Sequence, residues 1–201
     1  MVPKVVFKYS WIYDQNWKTW IKFYKRIKNY PSTRRILNYI PKIEKLWRKD
    51  EKKILKELSK VSGLEWKSKT ICCYVVGRCI PFSDPLTLPV YTKEDYFIDV
   101  LVHELIHQLF TQEGNMEKSK KRGLTSTEGI EKNHKKTRIH IPLYAIHSHI
   151  YLKFFGIERL NRDKRLMNCL SEYKRAWEIV EKEGYEKIIN EFKNRIVAKI
   201  L

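Results

Sequence analysis

Apolar residues recur at helical spacing along most of this chain, most clearly in its central part. From Lys93 to Thr111 they return every three or four positions, with neither Pro nor Gly among them, which predicts an amphipathic helix. The run Ile40 to Val61 has the same spacing and ends at Ser62-Gly63, a typical helix terminus. Further helices are predicted from about Gln15 in an aromatic-rich segment, in a segment that ends at Gly156, from Ser171 to Gly184, and from Tyr185 to Ile200.

Two shorter segments have the features of β-structure. Thr70–Val76 is a run of β-branched and apolar residues that stops at Gly77, and it predicts a buried strand. Pro81–Tyr91 contains three prolines. Because a proline cannot donate a hydrogen bond to a sheet, this segment is predicted to be an extended edge strand rather than a central one. The chain is therefore predicted to be an α+β protein, mostly helical, with a small sheet.

Composition favours one globular domain over residues 1–201. The chain is 43% hydrophobic and 13% aromatic, which excludes a disordered protein and allows a core without disulfides. Its apolar stretches all fall short of the ~20 residues of a membrane span, and its first residues lack the features of a signal peptide. We therefore expect a cytoplasmic protein with no membrane partner. Its four cysteines form no CxxC pair, and we expect reduced thiols.

The central predicted helix contains the pentapeptide His103-Glu104-Leu105-Ile106-His107, an HExxH motif. Residues four apart stand one turn apart on the same helical face, so both imidazoles can bind one Zn²⁺ at about 2.0–2.1 Å. Glu104, next to the first histidine, is placed to act as general base on a zinc-activated water. The alternative is that both histidines make ordinary hydrogen bonds on a structural helix.

With a strand, an extended edge segment and an HExxH helix in that order, the chain resembles the zincin metallopeptidases between about Thr70 and Gly156. It is most similar to small single-domain archaeal or phage HExxH proteins and to SprT-like proteases. The resemblance implies a compact zincin-like domain whose edge strand pairs with a protein or peptide substrate. Residues 70–156 would then hold the sheet, the edge strand and the metal-site helices, between an N-terminal helical scaffold (1–69) and C-terminal helices (157–201).

Catalytic zinc normally takes three protein ligands, and a second helix commonly supplies the third in zincins. Residues 108–133 hold no histidine. His140 is the favoured third ligand, because the residues around it resemble the start of the zincin ligand helix. If Pro142 is the first residue of that helix, His140 lies just outside it; if the helix begins near Thr137, His140 lies on its stripe.

Other candidates for the third ligand stay open. His147 shares a helical stripe with His140, and it is either the alternative ligand or a buried, hydrogen-bonded histidine. His134 falls in a basic stretch that is predicted as a solvated loop, and His149 points to the opposite side of the stripe. The acidic alternatives are Glu113, Glu128 and Glu131.

The predicted reaction is hydrolysis of a peptide bond. Zn²⁺ lowers the pKa of a bound water from about 15.7 toward about 7, and Glu104 takes a proton from that water and passes it to the leaving nitrogen. Tyr144 is the first candidate for stabilising the oxyanion, and His147 is a second candidate for that role. The alternative for Tyr144 is core packing.

Charge is the second informative feature. Lys and Arg number 41 against 23 Asp and Glu, a formal net charge of +18, which favours nucleic acid or another polyanion as a partner. A charged surface of the kind common in hyperthermophiles is the alternative explanation. Lys118–Arg122 and Lys135-Lys136 lie between the motif and the favoured third ligand. A basic nucleic-acid- or partner-binding protein on a zincin scaffold, without catalysis, is therefore the alternative function.

Overall fold

The computed structural model describes residues 1–25, 29–112, 115, 134–167 and 170–197. In chain order the elements before the motif are β1 (Lys4–Lys8), α1 (Trp11–Lys25), α2 (Thr33–Arg48), α3 (Glu51–Ser62), β2 (Thr70–Val76), β3 (Phe82–Ser83) and β4 (Leu86–Pro89). They are followed by α4 (Glu94–Thr111), α5 (Lys135–Ile150), a π-helical turn (Tyr151–Phe155), α6 (Ile157–Met167), α7 (Ser171–Glu183) and α8 (Tyr185–Val197). The prediction of a mostly helical α+β protein with a small sheet is confirmed.

The four strands form one mixed sheet in the order β1-β2-β4-β3. β1 and β4 each pair with β2 in parallel, and β3 pairs with β4 as an antiparallel hairpin. From Thr70 to Val75 alternate residues of β2 are buried, and Val76 at its end is buried as well, as expected for a strand with one face on a core. Gly77, which follows β2, lies against the ring of Tyr30, where a Cβ atom would come within 2.3 Å of a ring carbon. That close approach requires glycine.

The helices and strands group into two units. The first consists of Met1–Lys53 and Ser68–Gln108 and contains the sheet, α1, α2 and most of α4. Its core includes Phe97 of α4, whose ring meets the rings of Phe7 and Tyr39 edge-on at centroid distances of 5.7 and 5.8 Å. Edge-to-face contacts of this kind add to the stabilisation from burial.

The second unit consists of Ile54–Lys67 and Leu109–Leu201. In it α5 packs against α7 and α8, and the ring of Phe110 contacts the ring of Phe192 at a centroid distance of 5.3 Å. Two glycines end helices here with left-handed backbone angles, Gly156 at φ +88° and Gly184 at φ +82°. The predicted helix ends at these two residues are therefore confirmed.

The predicted long helix from Ile40 to Val61 is wrong, because the chain forms α2 and α3 with a break between them. The break brings side chains from the end of α2 and the start of α3 to β1, which is an edge strand. The Val5 amide donates to Glu51 Oε1 at 2.7 Å, and Arg48 Nη2 donates to the Val5 carbonyl at 2.9 Å. Arg48 and Glu51 also pair with each other. Side chains from both helices thus cover the edge of the sheet.

The prediction that Pro81–Tyr91 is an edge strand is wrong for its main part. β4 lies inside the sheet between β2 and β3, and all four of its residues are buried; only the two-residue β3 lies at the edge. The prolines are tolerated because they stand at strand ends. Beside Pro89, the last residue of β4, the bond to the Val76 carbonyl comes from Val90 N at 2.9 Å.

Candidate metal centre

The HExxH motif lies on α4, and the predicted uninterrupted helix is confirmed. Glu94 and Asp95 stand in its first turn, where acidic side chains are stabilised by the helix dipole. Most of the helix is buried, and its partly exposed positions after Glu94 and Asp95 are Tyr96, Val100, His103, His107 and Gln108 before the exposed Thr111. Both histidines therefore lie on the accessible stripe of a helix that is otherwise core.

The two histidine rings stand next to each other on this stripe. Their centroids are 4.9 Å apart, with an angle of 69° between the ring planes. This is the arrangement expected for residues four apart on a helix. Each ring can turn one nitrogen toward a common point outside the helix, so α4 supplies two imidazole ligands of the type that zinc prefers.

Glu104 stands beside the first histidine but on the buried side of α4. It is 7% exposed, and burial raises its pKa to about 7, because a carboxylate loses hydration when water is excluded. A carboxyl group with this pKa can accept and release a proton near neutral pH, as a general base must. The charge of Glu104 also contributes to the raised pKa of Cys79 and of Tyr91, after the larger effect of burial.

His140 lies on α5, which begins at Lys135 and includes Pro142. The second of the two predicted arrangements is therefore the one observed, with His140 inside the helix. Its Nδ1 is 2.8 Å from the Lys136 carbonyl oxygen. Since a carbonyl only accepts, Nδ1 carries the proton and Nε2 presents its lone pair. Burial lowers the pKa of His140 and keeps it neutral. This is the tautomer of a histidine that binds metal through Nε2.

His147 has a different environment on the same helix. It is completely buried, its Nδ1 lies 3.7 Å from Asp163 Oδ2 on α6, and its ring is 4.5 Å from the ring of Tyr151. The sequence analysis did not single out Asp163, which sits in a charged stretch typical of a helix surface. The Asp163 contact suits a buried histidine that is held in place by an acid.

Tyr144 belongs to the aromatic core of the second unit. Its ring stacks on Trp177 of α7 at 4.1 Å, with the planes 10° apart. The ring of His140 is 5.4 Å from that of Tyr144 and 4.5 Å from that of Tyr173. Stacking thus fixes the position of the Tyr144 ring, and its role as an oxyanion stabiliser stays a prediction.

The remaining candidates divide into described and undescribed residues. His134 is an exposed N-cap of α5 whose Nδ1 accepts from Lys136 N at 3.3 Å. His149 Nε2 lies 2.9 Å from Glu57 Oε1. Cys72, Cys73 and Cys79 are free thiols. Glu113, Glu128, Glu131 and Cys169 lie outside the described residues.

Comparison with known proteins gives no assignment: no family model, no curated protein and no solved structure matches the chain. Within the described residues, none of the helices has both the length and the apolar character needed to cross a bilayer.

Proposed function

We propose that this protein is a zinc-dependent metallopeptidase of zincin type in which His103, His107 and His140 hold the metal. One observation carries the proposal: the rings of His103 and His107 stand next to each other on the accessible stripe of α4, with their centroids 4.9 Å apart. The donor set fits zinc, since three imidazoles are a known ligand set for a catalytic zinc that keeps a position for water. The neutral tautomer of His140 adds to that fit.

In this proposal bound zinc supplies a Lewis acid and a water of lowered pKa. Glu104 accepts the proton of the attacking water and returns it to the leaving nitrogen of the peptide bond. The Lys136 carbonyl positions His140 by holding its Nδ1–H. The substrate is a protein or peptide.

Metal content tests the ligand assignment directly. We expect one zinc per chain by mass spectrometry in the wild type after zinc add-back and gel filtration. His140→Ala should lose the stoichiometric metal, because two imidazoles bind zinc far more weakly than three. His147→Ala is the matched control on the same helix and should keep it. Loss of zinc in His147→Ala alone would transfer the third-ligand role to His147, and a metal-free wild type would sink the proposal.

Net charge favours a second candidate, a basic protein that binds nucleic acid or another polyanion and has no catalytic activity. The chain has 41 Lys and Arg against 23 Asp and Glu, and such an excess attracts polyanions through counterion release. If this second candidate is right, the affinity for duplex DNA should fall steeply with salt concentration. That affinity should be the same in the wild type and in His103→Ala. Binding that is weak at every salt concentration would remove this candidate.

A further inference from the structure

A cavity of about 450 Å³ lies in the first unit. Its walls are the beginning of α2 and the segment that connects β4 to α4. We call it the α2 cavity, and the residues that matter for its chemistry are Arg34, Arg35, Asn38, Tyr39, Lys42 and Glu94. Its volume falls in the range of about 300–1,000 Å³ that is typical of small-molecule sites.

The lining of the α2 cavity carries an excess of positive charge. Arg34, Arg35 and Lys42 contribute three cations, and Glu94 is the acid among the lining residues. In the part of the chain that the structure describes, none of the three cations has an ion-pair partner, whereas Arg48 pairs with Glu44 and with Glu51. Three exposed cations and one acid on the lining of one concave surface leave a positive potential there.

The buried wall of the cavity holds a donor without an acceptor. Tyr39 is only 6% exposed, and within the described residues the proton of its buried hydroxyl has no acceptor. Burial is the main cause of its raised pKa, a backbone hydrogen bond from Tyr91 to the hydroxyl oxygen lowers it, and the charges of Glu94 and Asp95 raise it. The group is therefore a protonated hydroxyl at neutral pH. A buried hydroxyl proton without an acceptor is unfavourable, and an acceptor atom in the cavity would satisfy it.

The beginning of α2 adds a third contribution of the same sign. Ser32 caps the helix and accepts from Arg35 N at 3.3 Å, and no acidic residue stands in the first turn. The positive end of the helix dipole is therefore not offset by a carboxylate on α2. Such an end favours an oxyanion.

We propose that the α2 cavity binds a phosphoryl group, carried by a small molecule or present as free phosphate. Three cations facing one acid suit a dianion, and guanidinium groups match the oxygens of a phosphate. The hydroxyl of Tyr39 would donate to one of those oxygens. The volume exceeds what phosphate alone requires, so a phosphomonoester fits the space better. The proposal does not rest on the peptidase function, since none of these residues belongs to the proposed metal site.

Calorimetric titration of the full chain with inorganic phosphate and with adenosine monophosphate tests the cavity. Arg35→Ala should weaken both affinities about tenfold or more, because it removes a charge-assisted contact. Tyr39→Phe should weaken them about threefold, since only a neutral donor is lost. Lys45→Ala is the matched control: it removes one exposed cation from the same helix, outside the cavity, and should leave both affinities unchanged.

Comparison of the two probes identifies the source of the phosphoryl group. Tighter binding of the nucleotide than of phosphate would indicate a phosphomonoester, and equal binding would indicate phosphate itself. Three results would overturn the proposal: no binding of either probe, equal weakening by Arg35→Ala and Lys45→Ala, or adenosine binding as tightly as the nucleotide. Thermal melts by circular dichroism would show that the Tyr39→Phe chain is folded.

Discussion

Burial sets the chemistry of the individual side chains in the proposed metal centre. It raises the pKa of Glu104 to about 7 and lowers that of His140. Exclusion of water disfavours the charged form of each group, and for an acid and a base this acts in opposite directions on the pKa. A general base that titrates near neutrality and a neutral imidazole ligand are what hydrolysis with zinc requires.

Replacement of Glu104 by Gln separates catalysis from metal binding. We expect hydrolysis of a fluorescently labelled denatured protein to fall by about 10²–10⁴-fold, because an amide cannot accept the proton. Zinc content should stay at the wild-type value, since the ligands are unchanged. Glu178→Gln, the same exchange at an exposed ion pair on α7, serves as the control. Full activity in Glu104→Gln would contradict the assigned role of Glu104.

The sequence predicts which residues are candidates for the site better than it predicts the contacts that these residues make. His103, Glu104 and His107 follow from the HExxH spacing, which is local along one helix. The proton position on His140 depends on the carbonyl of Lys136, and the environment of His147 depends on Asp163. Neither partner carries a sequence signal, because the first is a backbone group and the second comes from another helix.

Between elements, a buried acid joins α3 to α5 and to the π-helical turn. Glu57 is 8% exposed, and its two oxygens lie 2.9 Å from His149 Nε2 and from Lys153 Nζ. Burial alone would raise the pKa of Glu57, but the hydrogen bonds and charges of Lys153 and His149 outweigh it and lower the pKa. The ionised acid is thus stabilised in the folded state.

Glu57→Gln should therefore destabilise the protein in a pH-dependent way. The lowered pKa means that the contribution is fully present above the unfolded value of about 4.5 and is lost as the pH falls through the folded value. At pH 7 we expect the free energy of unfolding to drop by about 1–3 kcal/mol, with the difference from wild type shrinking below about pH 4.5. Urea denaturation of the wild type and of Glu57→Gln at a series of pH values measures this difference, and Glu178→Gln serves as the control. A difference independent of pH would refute the ionic contribution.

Elements that are fixed by local pattern are predicted well, and those that are fixed by distant partners are not. The helix of the motif and strand β2 were both predicted, since each has a continuous apolar pattern of its own. Strand β1 was missed because its five residues are stabilised by pairing with β2, 66 positions along at Lys4↔Thr70 in the register. The break between α2 and α3 likewise depends on their contacts with Val5.

At the scale of the whole molecule, the effects of zinc, of a polyanion and of salt on stability distinguish the two proposed functions. A formal charge of +18 implies self-repulsion in the folded state. A ligand that binds only the folded chain offsets part of that repulsion, and the stability then rises with ligand concentration. Zinc and a polyanion both have this effect, but they act through different residues and respond differently to salt.

Thermal melting with and without zinc distinguishes the two functions. Free zinc at a hundred times its dissociation constant stabilises a single-site protein by about 2.7 kcal/mol. For a chain of this size that raises the Tm by roughly 5–10 °C. We expect this rise in the wild type and in His147→Ala, at low and at high salt, because coordination bonds are little affected by ionic screening.

The same experiment in His103→Ala and His140→Ala should show no rise with zinc, because each variant lacks one of the three proposed ligands. A polyanion site predicts a different response, to duplex DNA and to salt. Duplex DNA would then raise the Tm of every variant at low salt, and the effect would vanish at high salt because counterion release no longer favours binding. A zinc-dependent rise that survives in both histidine variants would place the metal elsewhere and remove the support for a peptidase, whatever the DNA result.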